Sequence, residues 1–168
     1  QEVARLFSQS ADVKVTPHDN YVSFESSHIE VTSRLVDGTY PKYEDIIPTT
    51  HTTEMRIDRA EFSRALKTLS VFLPRDSRRV SLSIKPSQGE FVARVSGGDG
   101  AEGEVRCDIE GSGDDIDMLM NIQYLIDGIA HIAGDICEGY FSGSHAPAVF
   151  KQQGKDAGYV YVVMPIQA

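Results

Sequence analysis

Two stretches of this chain carry the same punctuation, and that repeat limits the folds open to it. Asp58 stands where a helix N-cap belongs, with Glu61 three residues on, the spacing of a capping box. Asn121 is a second N-cap. Laid on one another, Phe62 matches Leu125, Ala65 matches Gly128, Leu66 matches Ile129 and Leu69 matches Ile132. Each set is one apolar stripe at helical spacing. The stripes predict helices from the Asp58 cap to about residue 72, stopping before Pro74, and over 122–133. A strand precedes each helix, at 52–57 and 116–120. Three strands follow each one, at 80–85, 91–96 and 104–109 and then at 135–141, 148–152 and 159–164. Agreement of caps, stripes and trailing strands is harder to reach by chance than agreement of two amphipathic helices. The unit is strand, helix and three strands. Two such units make an α+β domain with helices on one side of antiparallel sheets.

The first part of the chain is half of that. Helical spacing over 2–9 has no capping residue before it, and strand-like runs follow at 12–16, 21–25 and 29–36. One helix and three strands are too little for an independent core. With Gln as the first residue, the reading is a processed or truncated chain that opens on the end of a preceding domain. Residues 1–48 are then half a domain plus a linker, and 49–168 a complete domain. The linker is unusual. Asp37-Gly38 is a turn signal, and Pro41 and Pro48 bracket a segment that continues neither a helix nor a central strand. Yet it carries Tyr40, Tyr43, Ile46 and Ile47, where a solvated linker would lose nothing by being Ser and Gly. It is expected to lie against a surface.

Charge narrows the function. Sixteen Lys and Arg against 25 Asp and Glu give a net charge of −9, which argues against nucleic acid unless the few cations gather on one face. In the first helix of the repeat Arg64 and Lys67 fall opposite the apolar stripe, with Arg59 at its start and Arg56 just before it. The acids collect elsewhere, at Glu102, Glu104, Asp108, Glu110, Asp114, Asp115 and Asp117. An ordinary solvated helix face would look the same. The second helix turns Gln123, Asp127, Ala130 and His131 outward, with no Lys or Arg. Any DNA contact from such faces would ignore sequence and depend on salt. Val71 and Phe72 fall outside the apolar stripe, so either the last turn frays onto the core or the pair forms an interface. At the chain end Pro165 stops sheet pairing, leaving Met164 and Ile166 free to leave the sheet as an adaptable apolar surface.

No catalytic constellation stands out, and no cofactor or metal is expected. The five His lack ligand spacing with Cys or carboxylates. Residues 97–103 lack the Gly-Lys-Ser/Thr of a phosphate loop, and Asp114, Asp115 and Asp117 read as a solvated loop more readily than a cation site. Cys107 and Cys137 read as reduced thiols of a cytoplasmic protein, with a disulfide as the lesser reading. No apolar run approaches membrane-spanning length, and no secretory signal opens the chain.

Leu35-Val-Asp-Gly, Tyr40-Pro-x-Tyr and Ile47-Pro48 together resemble the segment joining the second and third domains of the bacterial sliding clamp family, the beta subunit of DNA polymerase III. Tyr161-Val-Val-Met-Pro-Ile-Gln-Ala168 resembles that family's C-terminus. The resemblance covers nearly the whole chain. It implies a non-catalytic processivity factor, a ring closed head to tail from two subunits around duplex DNA. It implies an apolar groove that takes short linear motifs of polymerases, the clamp loader and repair proteins. Matching groove positions are Pro41, Ile46, Pro147, Val162, Val163, Met164, Pro165 and Ile166. Arg56, Arg59, Arg64 and Lys67 would face DNA, and Val71 and Phe72 would meet the second subunit. Asp45 and the Gln167-Ala168 ending depart from a basic pattern, and the other wall of the groove would lie upstream of Gln1. Two other classes stay open: a clamp-fold protein-interaction module that does not encircle DNA, and a hydrolase built on Ser144 and His145.

Overall fold

The computed structural model describes residues 2–40, 42–74, 77–97, 100–154 and 158–167, in two compact units, 1–42 and 43–168. The first unit holds α1 (Glu2–Leu6) and an antiparallel sheet of β1 (Lys14–Pro17), β2 (Tyr21–Glu25) and β3 (Glu30–Arg34) in that order. Phe7 is its one buried large apolar side chain among the described residues.

The second unit contains both repeats. The first is β4 (Thr53–Asp58), α2 (Arg59–Ser70), β5 (Arg79–Lys85), β6 (Glu90–Ser96) and β7 (Glu102–Asp108). A short strand, β8 (Glu110–Gly113), follows. The second repeat is β9 (Ile116–Asn121), α3 (Ile122–Ile129), β10 (Ile136–Phe141), β11 (Ala148–Gln152) and β12 (Val160–Val163). The repeats exchange their leading strands. One sheet runs β12-β11-β10-β4-β8 and the other β7-β6-β5-β9, so β4 joins the second repeat's strands and β9 the first's. All pairings are antiparallel.

The caps form as the residue types require. Asp58 Oδ1 accepts the Glu61 amide at 2.7 Å, and Asn121 Oδ1 accepts those of Gln123 and Tyr124 at 3.0 and 3.4 Å. Phe62, Ala65, Leu66 and Leu69 of α2 are buried, as are Ile122, Leu125, Gly128 and Ile129 of α3. These stripes and the inward faces of both sheets form one cluster. Phe62 meets Phe91 edge-on at 5.2 Å and Phe141 meets Phe150 at 5.8 Å, the arrangement aromatic quadrupoles favour.

Three elements differ from the sequence reading. The helix expected over 2–9 ends at Leu6. The helix expected over 122–133 ends at Ile129. Beyond it the amides of His131 and Ile132 reach back three residues, to Gly128 and Ile129. The chain then turns at Gly134 with φ +82°, a conformation glycine adopts without a Cβ clash. Strand β8 was not expected at all. Glu110-Gly-Ser-Gly113 has little strand propensity, but a Cβ at Gly111 or Gly113 would overlap the Glu54 or Thr52 carbonyl. The glycines are there to let β8 close on β4.

Gly128 lets the Tyr161 ring lie against α3, since a Cβ there would overlap Cδ1, Cε1 and Cζ of that ring. Gly128→Ala gains roughly 1 kcal/mol of helix propensity but overpacks at a cost of about 1–3 kcal/mol, so urea unfolding should show net destabilisation. In a Tyr161→Ala background the same change should become stabilising. The two thiols are free and buried, and burial pushes Cys107 up to about 11 and Cys137 to about 12. Both should resist alkylation at pH 8 in the folded chain and react at once in denaturant. Because the folded values are raised, this contribution to stability is full below about pH 8.5, the unfolded thiol value. It is lost as pH rises through the folded values.

Candidate functional site

The outer face of the five-stranded sheet is set by strand parity. Along β4, Thr53, Met55 and Ile57 point into the core and Glu54 and Arg56 point away. The register Tyr140↔Glu54, Tyr140↔Val149 and Val149↔Val162 makes one outward row, and Glu138↔Arg56, Glu138↔Lys151 and Lys151↔Val160 makes another. Continuing the Ala148↔Val163 register by one step sets Pro147 opposite Met164. Met164 is 51% exposed while Val163 and Pro165 are buried. After β12 the tail leaves its sheet and Ile166 donates its amide to the Leu119 carbonyl at 2.7 Å, on β9 of the other sheet. The tail thus pins the two sheets together and holds Met164 on the outer surface. Ile46, just after a single 3-10 turn over Tyr43–Asp45, is 49% exposed. Pro41 and Ala168 lie outside the described residues.

The four cations singled out in the sequence do not share a face. Arg64 and Lys67 are exposed on α2, in phase with Ala60 and Val71, and no ion pair is recorded for either among the described residues. Arg59 is half-buried and donates Nε to the Gly134 carbonyl at 2.7 Å, so it ties the α3–β10 turn to the start of α2. Arg56 is on the far side. By strand parity it projects from the outer face of the five-stranded sheet, where its Nε lies 3.3 Å from Glu138 Oε1. Its place one strand position from the core residues Met55 and Ile57 fixes this, so it is not a companion of Arg64 and Lys67. Asp127 of α3 and, in the turn after it, Ala130 and His131 are exposed, and Gln123 Nε2 donates to Asp127 Oδ1 at 2.8 Å.

At the end of α2 the side chains diverge. Val71 is 81% exposed. Phe72 is less exposed, at 44%, and a Cβ on Gly103 would press against both Phe72 and Leu69, so its ring lies over a glycine of β7. That strand is the edge of the four-stranded sheet, and Phe72 and the edge form one surface.

The profile of the DNA polymerase III beta subunit, C-terminal domain, matches residues 44–167. The chain belongs to the DNA polymerase III beta subunit family. The beta sliding clamp of Streptomyces coelicolor is 29% identical over 154 residues, 89% of this chain and 40% of its own length. That of Caulobacter vibrioides is 28% identical over 159 residues, 95% of this chain and 41% of its own. The chain therefore spans about two-fifths of these curated relatives. A solved DnaN sliding clamp from Bartonella birtlesii, bound to griselimycin, superposes with a TM-score of 0.83 at 26% identity, over 99% of this chain and 45% of that one.

The Ser144 and His145 of the hydrolase reading lie on the surface. Ser142 Oγ donates to the Thr50 carbonyl at 2.6 Å, and Ser144 and His145 sit exposed in a turn closed by the Ala146 amide on the Gly143 carbonyl. No group of three potential metal ligands occurs among the described residues. Sequence reasoning passed over Tyr124, which is 55% exposed. It lies in helical phase with Asp127 and His131, the outward residues already identified, and that phase was the available signal.

Proposed function

We propose that this chain is the C-terminal portion of a sliding-clamp processivity factor of bacterial DNA replication, acting in the cytoplasm without catalysis. Residues 1–48 are read as the second half of the middle domain plus the linker, and 49–168 as the complete C-terminal domain. The division after Lys42 and the family match from residue 44 support that reading. In the full-length protein two subunits close head to tail, a heterologous contact, and the ring holds duplex DNA without reading its sequence. The exposed Val71 and the Phe72-covered edge at β7 suit that contact.

Partners are held by the outer face at the chain end. The observation that carries this is Met164, a large apolar side chain left exposed beside Val162 and Pro147 while its neighbours Val163 and Pro165 are buried. Ile46 adds a second exposed apolar side chain from the linker. Thioether and branched aliphatic surface of this kind adapts to short apolar motifs. The griselimycin-bound relative supports a ligand groove in this family.

One observation favours the alternative, a clamp-fold interaction module that does not encircle DNA. With Arg56 on the sheet and Arg59 engaged at Gly134, only Arg64 and Lys67 of the four remain for phosphate. The two readings separate on DNA. The proposed clamp, assembled at full length, is retained on circular but not on linear duplex, and the module on neither.

Titrating the chain with a short Leu- and Phe-containing peptide should give weak but saturable binding. Met164→Ala should weaken it about tenfold, the order expected for losing much of one buried apolar side chain; an unchanged affinity would sink the groove assignment. In the full-length ring, Arg64→Gln with Lys67→Gln should lower the slope of log affinity against log salt by up to about 2. A slope unchanged by the pair would remove α2 from the DNA contact.

A further inference from the structure

The outer face of the five-stranded sheet carries more than the apolar groove. Two rows along from Met164, a concavity of about 600 Å3 is lined by Arg56, Glu138, Tyr140, Lys151, Gln153, Gly154 and Val160. Its floor is a buried carboxylate. Glu138 is 6% exposed, and it accepts the Tyr140 hydroxyl at 2.8 Å and faces Arg56 Nε at 3.3 Å. A carboxylate so deep needs polar partners, and in return it fixes both of them. Tyr140 is held from further sides as well. His51 meets its ring at 4.8 Å, nearly edge-on, and the Lys151 ammonium sits 4.3 Å over the ring centre.

Among the described residues, the other acids near this floor are engaged or belong to the far end. Glu54 is 2.6 Å from His51 Nε2. Glu110 of β8 is the register partner of Arg56, on the side away from Lys151. The row therefore reads Glu110, Arg56, Glu138, Lys151, Val160 across the sheet. It alternates in sign and ends on a cation beside an apolar residue. No carboxylate lies within ion-pair distance of the Lys151 ammonium among the described residues. Tyr140 holds that ammonium in one place, so pairing it costs less side-chain freedom than pairing a solvated lysine.

We propose that Lys151 and the concavity around it form an acid-accepting extension of the peptide groove. It would take an Asp or Glu side chain that flanks the apolar residues of a bound partner peptide. The inference rests on the groove reading above and adds its charge preference. Reach sets the spacing. Val160 opens the edge strand β12 and Met164 directly follows it, four positions on, about 13 Å at roughly 3.3 Å per residue of extended chain. The acid therefore belongs about four residues from the side chain seated on Met164.

The test compares two synthetic peptides on the 168-residue chain, both with the same Leu-Phe centre. One carries Asp four residues out on either side, and the other carries Asn. With a net charge of −9, the chain as a whole repels the acidic peptide, so an affinity gain requires a local cation. The Asp peptide should bind about threefold tighter at low salt, the scale of an exposed ion pair. The advantage should vanish near 1 M salt and in Lys151→Gln. That variant is preferred to Arg56→Gln, which would strand a buried carboxylate. If both peptides bind alike, or the Asp peptide binds worse, the acid-accepting site is overturned and the groove stands. Should neither bind, the groove reading falls and the extension falls with it. A preference that persists in Lys151→Gln also overturns the assignment.

Discussion

The exchange of leading strands between the two repeats is the constraint on which the second unit rests. A three-strand meander buries one face only if something covers it, and each meander here is completed by the other repeat's first strand, β4 beside β10 and β9 beside β5. The helix that follows each leading strand must then pass from one sheet to the other. This brings α2 and α3 together over a core to which both sheets contribute. Neither repeat is a folding unit on its own. Helix surfaces end up on one side of that core and the outer sheet faces on the other. On the proposed reading, DNA and partner peptides therefore approach the domain from opposite sides and do not compete for surface.

Much of this was legible in the sequence because the signals were local. Asp58 and Asn121 cap the helices they announce, and the stripes from Phe62 and Leu125 bury where the period places them. The strand exchange was not legible, since hydrogen-bond partners far apart in the chain leave no trace in periodicity. β8 was hidden for a different reason. Its glycines reduce intrinsic strand propensity while permitting the close backbone approach that makes it a strand, so the same residues argue against the element locally and require it globally. The end of α3 was misjudged because the turn after Ile129 keeps enough helical character for Ile132 to stay buried in phase.

Arg56 shows how a face can be misassigned over a few residues. It lies three positions before Arg59, close to one helical turn, and grouping them supposes a single period. The period changes at Asp58. Before that residue, alternation sends Arg56 outward from the sheet to Glu138. After it, the 3.6-residue step governs, and Arg59 turns back to the Gly134 carbonyl. A basic cluster in sequence becomes three separate environments.

That loss bears on how such a domain could hold DNA. Each phosphate contact adds only about 0.9 to the salt exponent and to the counterions released, so the two exposed cations of α2 by themselves give little affinity for DNA. A ring has no such requirement. Once closed, it leaves the duplex only by opening or by reaching an end, and the side-on contact has to guide rather than to bind. Weak contact even helps, because every phosphate held must be released for the ring to move along. The scarcity of cations on this face, which argues against DNA when affinity is the criterion, is consistent with DNA when topology does the holding.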